Sequence, residues 1–419
     1  MTTLEPTTVA SARAGAMQTL ALLAIGLIPW PGGWGMMSAA VENARSPELN
    51  RAEREVSAAG YYEGLIGGGD GPEGARGELA LRLMGKPTGW VRFHDAEVSR
   101  PLAGDFLQFE LKPNVHRNLF GKHFDTNSHG LPGEEITLEK PKETYRIAAL
   151  GSSMDMGWGV SNQETYARRL ETWLNSHSKI RSTGDDPAPR QFQVLNFAVA
   201  AYSPLQRLDS YLRKAERFHP DLVLYSATML DIRLMEIHIC DLLRTGADLK
   251  YDFLRKAIDE AKITKADLAL TADGKLIHKE RIKAKLQPLY WSIYDATIQA
   301  LAEKCRGNGT ALAFVIIPRV GKADAPDARA ESVARLKAIA AHSGLNVYDL
   351  SNSFDRFDPA TLEIAAWDDH PNALGHQRLF LGLARAMAKD REAYNLLFPE
   401  RPIPIAERSN SHDAAAAPR

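Results

Sequence analysis

Cysteine is nearly missing from this sequence: Cys240 and Cys305 are the two in 419 residues, and neither stands in a CxxC pair or beside a histidine at metal-ligand spacing. That excludes a disulfide-built scaffold and leaves open one disulfide or two separate buried thiols. An excess of charge of one sign is missing too. Lys plus Arg number 51 against 52 for Asp plus Glu, a net charge of −1, so no broad field draws the chain onto nucleic acid and no polynucleotide partner is expected. There is no Walker loop, no dinucleotide fingerprint and no HExxH, and His116, His123 and His129 are spaced too irregularly for zinc. Nothing in the sequence calls for a cofactor or a metal.

A long apolar run is also lacking. The stretch Met17 to Ile28 would rise about 18 Å as a helix, against about 30 Å of bilayer hydrocarbon. Arg13 precedes it, Pro29 and Pro31 follow, and small residues come at Ser38, Ala39 and Ala40, the order of an export signal. Residues 1–45 therefore read as either a signal or a disordered leader. An exported and a cytoplasmic protein both stay open, as does membrane association through this segment.

What is present is a repeated strand–loop–helix pattern, with length enough for a large α/β domain plus extensions. Residues 46–140 read as an accessory region, with helix formers at Ser46–Ala59 and Glu78–Met84 and short strands within Leu107–Asp125. From Tyr145 the run YRIAALG suits a strand buried on both faces of a parallel sheet. Ser161 and Glu164 then form a capping-box spacing before a helix facing inward through Tyr166, Leu170, Trp173 and Leu174. Further strands are expected at QVLNFAV, DLVLYSA, Thr310–Ile317 and LNVYDL, and helices at Pro204–Phe218, Ala328–Ala341 and Ala373–Lys389. The charged insertion from about Glu236 to Leu286 holds two amphipathic helices and is a candidate lid, and residues 396–419 read as a disordered tail.

Ser153 follows the first of these strands and Gly151, a place where a side chain projects over the carboxyl edge of a parallel sheet. It lacks the GxSxG elbow of the α/β-hydrolases, since Met154 comes next with no glycine two places on. Serine needs a base to be a nucleophile. Far along the chain, WDDHPNALGH offers one: Asp368 or Asp369 could fix the tautomer of His370, and Asn372 could cap the last helix. On spacing alone the same segment fits a solvated loop histidine or part of a metal site. His219 and His376 read as capping or packing residues, and Trp158, Tyr202 and Trp291 as core aromatics or walls for a sugar or acyl chain.

Taken together and in order, RIAALGSSMDMGWGV, VLNFAVAAYSPLQ, HPDLVLYSATMLDIR and DDHPNALGH resemble the four blocks of the SGNH, or GDSL-like, hydrolases of bacterial type, over roughly residues 107–390; LKPNVHRNLFGKHFDTNSHGLPGEE resembles their lead-in. The resemblance implies a flavodoxin-like three-layer α/β/α sandwich with a central parallel sheet, spanning residues 141–395. It also implies a serine ester hydrolase working through an acyl-enzyme on small acyl esters, acetylated carbohydrate among them. Ser153 would be the nucleophile, His370 the base and Asp368 the acid, with Asp369 the competing choice; a DxxH spacing would put the acid on Trp367, which cannot serve, so the order fits a variant with one residue between acid and base. The sequence departs from the pattern in three places. Ser152 stands for the aspartate of GDS, Ala201 for the glycine whose N–H serves the oxyanion hole, and Leu230 for the asparagine that adds a side-chain donor. The oxyanion donors would then be the N–H groups of Ser153 and Ala201, with Thr228 as a candidate replacement, provided the turn at Ala201 needs no positive φ. The same residues could instead pass an acyl group to a sugar hydroxyl, and Leu230 favours a third reading, a binding protein on a degraded hydrolase fold. Oligomeric state is not legible.

Overall fold

The computed structural model describes residues 93–94, 96–181, 190–320, 326–365 and 368–398. All of them belong to the second of two units into which the chain divides, Glu63–Arg419. The expected leader and the two helices expected between Ser46 and Met84 lie outside the described residues.

The chain enters through four short strands, β1 (Ser99–Pro101), β2 (Phe109–Leu111), β3 (His116–Leu119) and β4 (Lys122–Asp125), which pair as two antiparallel ribbons, β1 with β2 and β3 with β4. The α/β pattern follows: β5 (Thr144–Leu150), α1 (Ser153–Met156), α2 (Tyr166–Arg181), β6 (Gln191–Asn196), α3 (Pro204–Arg213), β7 (Leu222–Thr228) and α4 (Asp231–Thr245). Next come α5 (Asp252–Glu260), α6 (Lys279–Leu286), α7 (Tyr290–Gly307), β8 (Ala311–Ile317), α8 (Pro326–His342) and β9 (Asn346–Asp349). The chain closes with β10 (Glu363–Ala365), β11 (Asp368–Pro371), α9 (Ala373–Lys389) and α10 (Arg391–Leu397).

Five strands form one parallel sheet in the order β6-β5-β7-β8-β9. Numbered from its first strand this is 2-1-3-4-5, the flavodoxin-like order, whose switch point lies between the first and third strands. Every residue of β5 and β7 is buried, as strands covered on both faces must be. Period-two alternation divides them between two cores. Ala148, Leu150, Val223 and Tyr225 face α3, α4, α7 and α8, while Ile147, Leu222 and Leu224 face α2 and α9. This is a three-layer α/β/α sandwich.

The helix expected at Pro204–Phe218 breaks at Lys214, after which Ala215–Phe218 forms a tighter 3-10 turn. The insertion contributes residues to the core. Leu254, Ala257, Ile282 and Leu286 of α5 and α6 are buried in the core shared by α3 and α7, so the segment thickens one helical layer. Leu397 and Phe398, at the start of the expected tail, are buried in the other core. Cys240 and Cys305 are separate buried thiols.

The lead-in is tied to the sheet by a buried cation. Arg146 on β5 donates all five of its N–H groups: to the carbonyls of Thr137, Leu138, Glu139 and Phe218 and to Gln193 Oε1. Gln206 to Leu107 O and Tyr202 to Phe109 O fasten the preceding ribbon in the same way. No helix among the described residues is long and apolar enough to cross a membrane.

A second buried cation joins α3 to the end of β7. Arg207 forms a bidentate pair with Asp231 at 2.7 and 2.9 Å, and Tyr294, Thr228 Oγ1 and the Thr228 N–H donate to the same carboxylate. Removing one member of a pair this deep leaves an uncompensated charge. Asp231→Ala should therefore cost about 3–5 kcal/mol in urea denaturation; a loss below about 1 kcal/mol would show that the network is not what joins these elements.

Candidate active site

The site begins where β5 ends. A Cβ on Gly151 would lie 2.0 Å from the carboxylate of Asp155, so only glycine lets that side chain tuck back beneath the strand end. Asp155 accepts the N–H of Ser152 at 2.8 Å and the hydroxyl of Tyr166 at 2.6 Å, and its own carbonyl accepts from Asn196 on β6. Burial raises its pKa, against the hydrogen bonds that lower it. The junction thus turns on one carboxyl group, and Ser153 is the first residue of the short helix that follows.

Ser153 Oγ lies 2.7 Å from His370 Nε2, and His370 Nδ1 lies 2.5 Å from Asp368 Oδ1, which also accepts the His370 backbone N–H at 3.1 Å. With Asp368 accepting the hydrogen bond of Nδ1–H, Nε2 is left to accept from the serine. All three residues are buried, at 6%, 2% and 3% exposure. Burial pushes the imidazole toward its neutral form. The charge and hydrogen bond of Asp368, helped by Asp369 and opposed by Arg319, outweigh that and raise its pKa above the ordinary histidine value.

The choice between the two aspartates follows from strand geometry. Asp368, Asp369 and His370 all belong to β11, where alternate side chains share a face. Asp368 and His370 therefore point together and Asp369 points away, to Arg319 just beyond β8. Among the described residues this is also the group whose oxygen and nitrogen atoms, all within 4.8 Å of one another, could share a cation. Its ligand atoms are already engaged by Ser153, by one another and by the guanidinium of Arg319.

The oxyanion residues come out differently. Ala201 sits at φ +66°, the left-handed region that glycine favours, so the turn does require positive φ and an alanine occupies it under strain. Among the described residues the backbone N–H groups of Ser153 and Ala201 donate to no protein acceptor. Thr228 is not a replacement donor: its hydroxyl proton goes to Asp231 at 3.0 Å. Leu230 caps α4 without a side-chain hydrogen bond.

The remaining candidates are structural. His376 stacks on Tyr166 and accepts its backbone N–H, and burial pushes it down to about 3. His219 takes a left-handed conformation at the end of the 3-10 turn. Trp158 packs against Phe93 and Phe120, Tyr202 is held by Phe109, and Trp291 stacks on Tyr294. A second serine–histidine pair, Ser203 and His238 at 2.9 Å, has Phe106 O rather than a carboxylate behind the ring. Burial pushes that histidine down to about 4, and the pair serves to hold the lead-in. A cavity of about 290 Å³ between the lead-in and Asn196–Tyr202 is lined by neither Ser153 nor His370.

Asp155, Tyr166, Asn196 and Arg319 went unread as parts of this site. Asp155 had a legible signal, since Ser152 and Asp155 share the spacing of a capping box. The hairpin of β10 and β11 that carries Asp368 and His370 was likewise unexpected.

Fold and side chains together define a class: an α/β protein with a serine–histidine–aspartate array over the carboxyl edge of its parallel sheet. No protein-family model matches the chain, and no curated protein matches it. Solved structures similar to it include an acetylxylan esterase from Geobacillus stearothermophilus, at 16% identity over 58% of this chain and 93% of that one, TM-score 0.34. They also include the psychrotrophic esterase EstA from Pseudoalteromonas sp., at 12% identity over 58% and 97%, TM-score 0.34, and a GDSL-like lipase from Bacteroides thetaiotaomicron, at 11% over 61% and 92%, TM-score 0.32.

Two substitutions test this local geometry. Ala201→Gly relieves the left-handed strain while keeping the N–H, and should raise stability by about 0.5–1 kcal/mol in denaturant unfolding; a loss would mean that contacts of the methyl group outweigh the strain. Gly159, at φ +79°, leaves a Cβ only 2.1 Å from Ile364 Cδ1 on β10. Gly159→Ala should lower the unfolding free energy by about 1–3 kcal/mol, with partial recovery when Ile364→Ala is added; no recovery would place the cost in the backbone alone.

Proposed function

We propose that this chain is a serine ester hydrolase of the SGNH type, working by acyl transfer through Ser153. The observation that carries the reading is the unbroken run of hydrogen bonds from Ser153 Oγ through His370 to Asp368. His370 Nε2 takes the serine proton as Oγ attacks the ester carbonyl, Asp368 stabilises the imidazolium that forms, and the same proton passes to the departing alkoxide. Water then attacks the acyl-enzyme with His370 again as base. The secluded position of the three side chains strengthens each of these interactions.

The developing oxyanion would be held by the N–H groups of Ser153 and Ala201. With Leu230 in place of a side-chain donor, turnover is expected to be lower by about 10²–10³, or about 2.7–4 kcal/mol, than with three donors. Small acyl esters are the substrate class, acetylated carbohydrate among them. Since the base must be neutral to act, and Asp368 holds His370 above its ordinary value, the acid limb of activity should lie above the ordinary histidine value.

Hydrolysis of 4-nitrophenyl acetate checks the roles. Ser153→Ala and His370→Ala should fall to background, Asp368→Asn should lose about 10⁴-fold, and Asp369→Asn should stay far closer to wild type. Full turnover by folded Ser153→Ala would overturn the reading.

A further inference from the structure

The strand that carries both acid and base is not part of the main sheet. β11 pairs with β10 in a separate two-stranded ribbon, while Ser153 is set by β5 of the five-stranded sheet. Two-stranded ribbons hold themselves weakly, so the separation between His370 and Ser153 depends on what fastens β11 to the sheet. One fastening is explicit. Arg319 stands just past the end of β8, and its Nε and Nη2 donate to Asp369 Oδ2 at 3.1 and 2.5 Å. Both side chains are 20% exposed, so the pair is less screened than a surface ion pair.

We propose, resting on the reading of Ser153 and His370 as nucleophile and base, that Arg319 is a positioning residue for the reaction. Its ion pair with Asp369 pins β11 to the end of β8 and cancels the second carboxylate beside the imidazole, so that His370 answers to Asp368 alone. Without Arg319, the carboxylates of Asp368 and Asp369, two residues and one residue before His370, would both favour the imidazolium, and the base would be occupied by a proton over a wider pH range. The groups that bear on His370 are Asp368 and Asp369 on its own strand, Arg319 from β8, Ser153 from α1, and the neutral His376 from α9 with Arg169 and Glu164 beyond it. Of these, Arg319 opposes the two aspartates.

The test is an NMR titration of the His370 imidazole in the full chain, paired with the pH profile of ester hydrolysis. Arg319→Gln should move the titration, and the acid limb of kcat/KM, upward by about half to one pH unit; Asp369→Asn should move both downward by a similar amount. The double variant should return near wild type, and Arg319→Lys, which keeps the charge, should titrate like wild type. If Arg319→Gln does not fold, the downward movement in Asp369→Asn decides. Movement of both single variants in the same direction, or none in folded protein, would overturn the proposal, as would a double variant further from wild type than either single. Because the titration reads the ring directly, the expected pattern in a protein without esterase activity would leave the electrostatic role standing and defeat the catalytic reading instead.

Discussion

The site depends on one close approach: the carboxyl group of Asp155 folded back under Gly151, where any side chain would collide with it. From that contact follow the fixed N–H of Ser152, the anchoring of Tyr166 from α2 and the tie from Asn196 at the end of β6. A parallel sheet leaves its strand ends as loops, and loops are mobile unless something spends their polar groups. Here a buried carboxyl spends them, so that the next side chain, Ser153, is directed at His370. Ser152 thus sits in a junction whose acid comes from three residues on, Asp155.

The two halves of the array reach this point by different routes. Ser153 is set by β5, buried on both faces at the centre of the fold, whereas His370 arrives on a short ribbon outside the sheet. The ribbon is located by contacts rather than by a ladder: Ile364 seated on Gly159, Asn372 capping α9 through the N–H groups of Leu374 and Gly375, and Asp369 held by Arg319. Such an arrangement lets strand periodicity choose which aspartate meets His370. Neighbouring aspartates fall on opposite faces, and the one that shares a face with His370 is two residues away from it.

Much of this was legible in the chain. Residues buried on both faces read as continuous apolar runs, which is why YRIAALG and DLVLYSA mark β5 and β7, and the capping Asn372 marks the start of α9 at Ala373. The aspartate choice stayed open because three-residue strands such as β10 carry no periodic signal, and without a strand at 368–371 there is no face to assign. In the insertion the lysines suggest a solvated face, while Leu254, Ala257, Ile282 and Leu286 are core residues that place it. Whether the turn at Ala201 needs positive φ is written in its φ alone, not in the sequence. Long-range ties such as Arg319 to Asp369 leave no local trace at all.

The central claim is that Ser153 is a nucleophile activated by His370, and the most direct test is covalent. After treatment with a fluorophosphonate, peptide mass spectrometry should place a single adduct on Ser153 in the wild-type chain and find none in His370→Ala. A folded wild-type chain that stays unmodified, or an adduct on another residue, would contradict it.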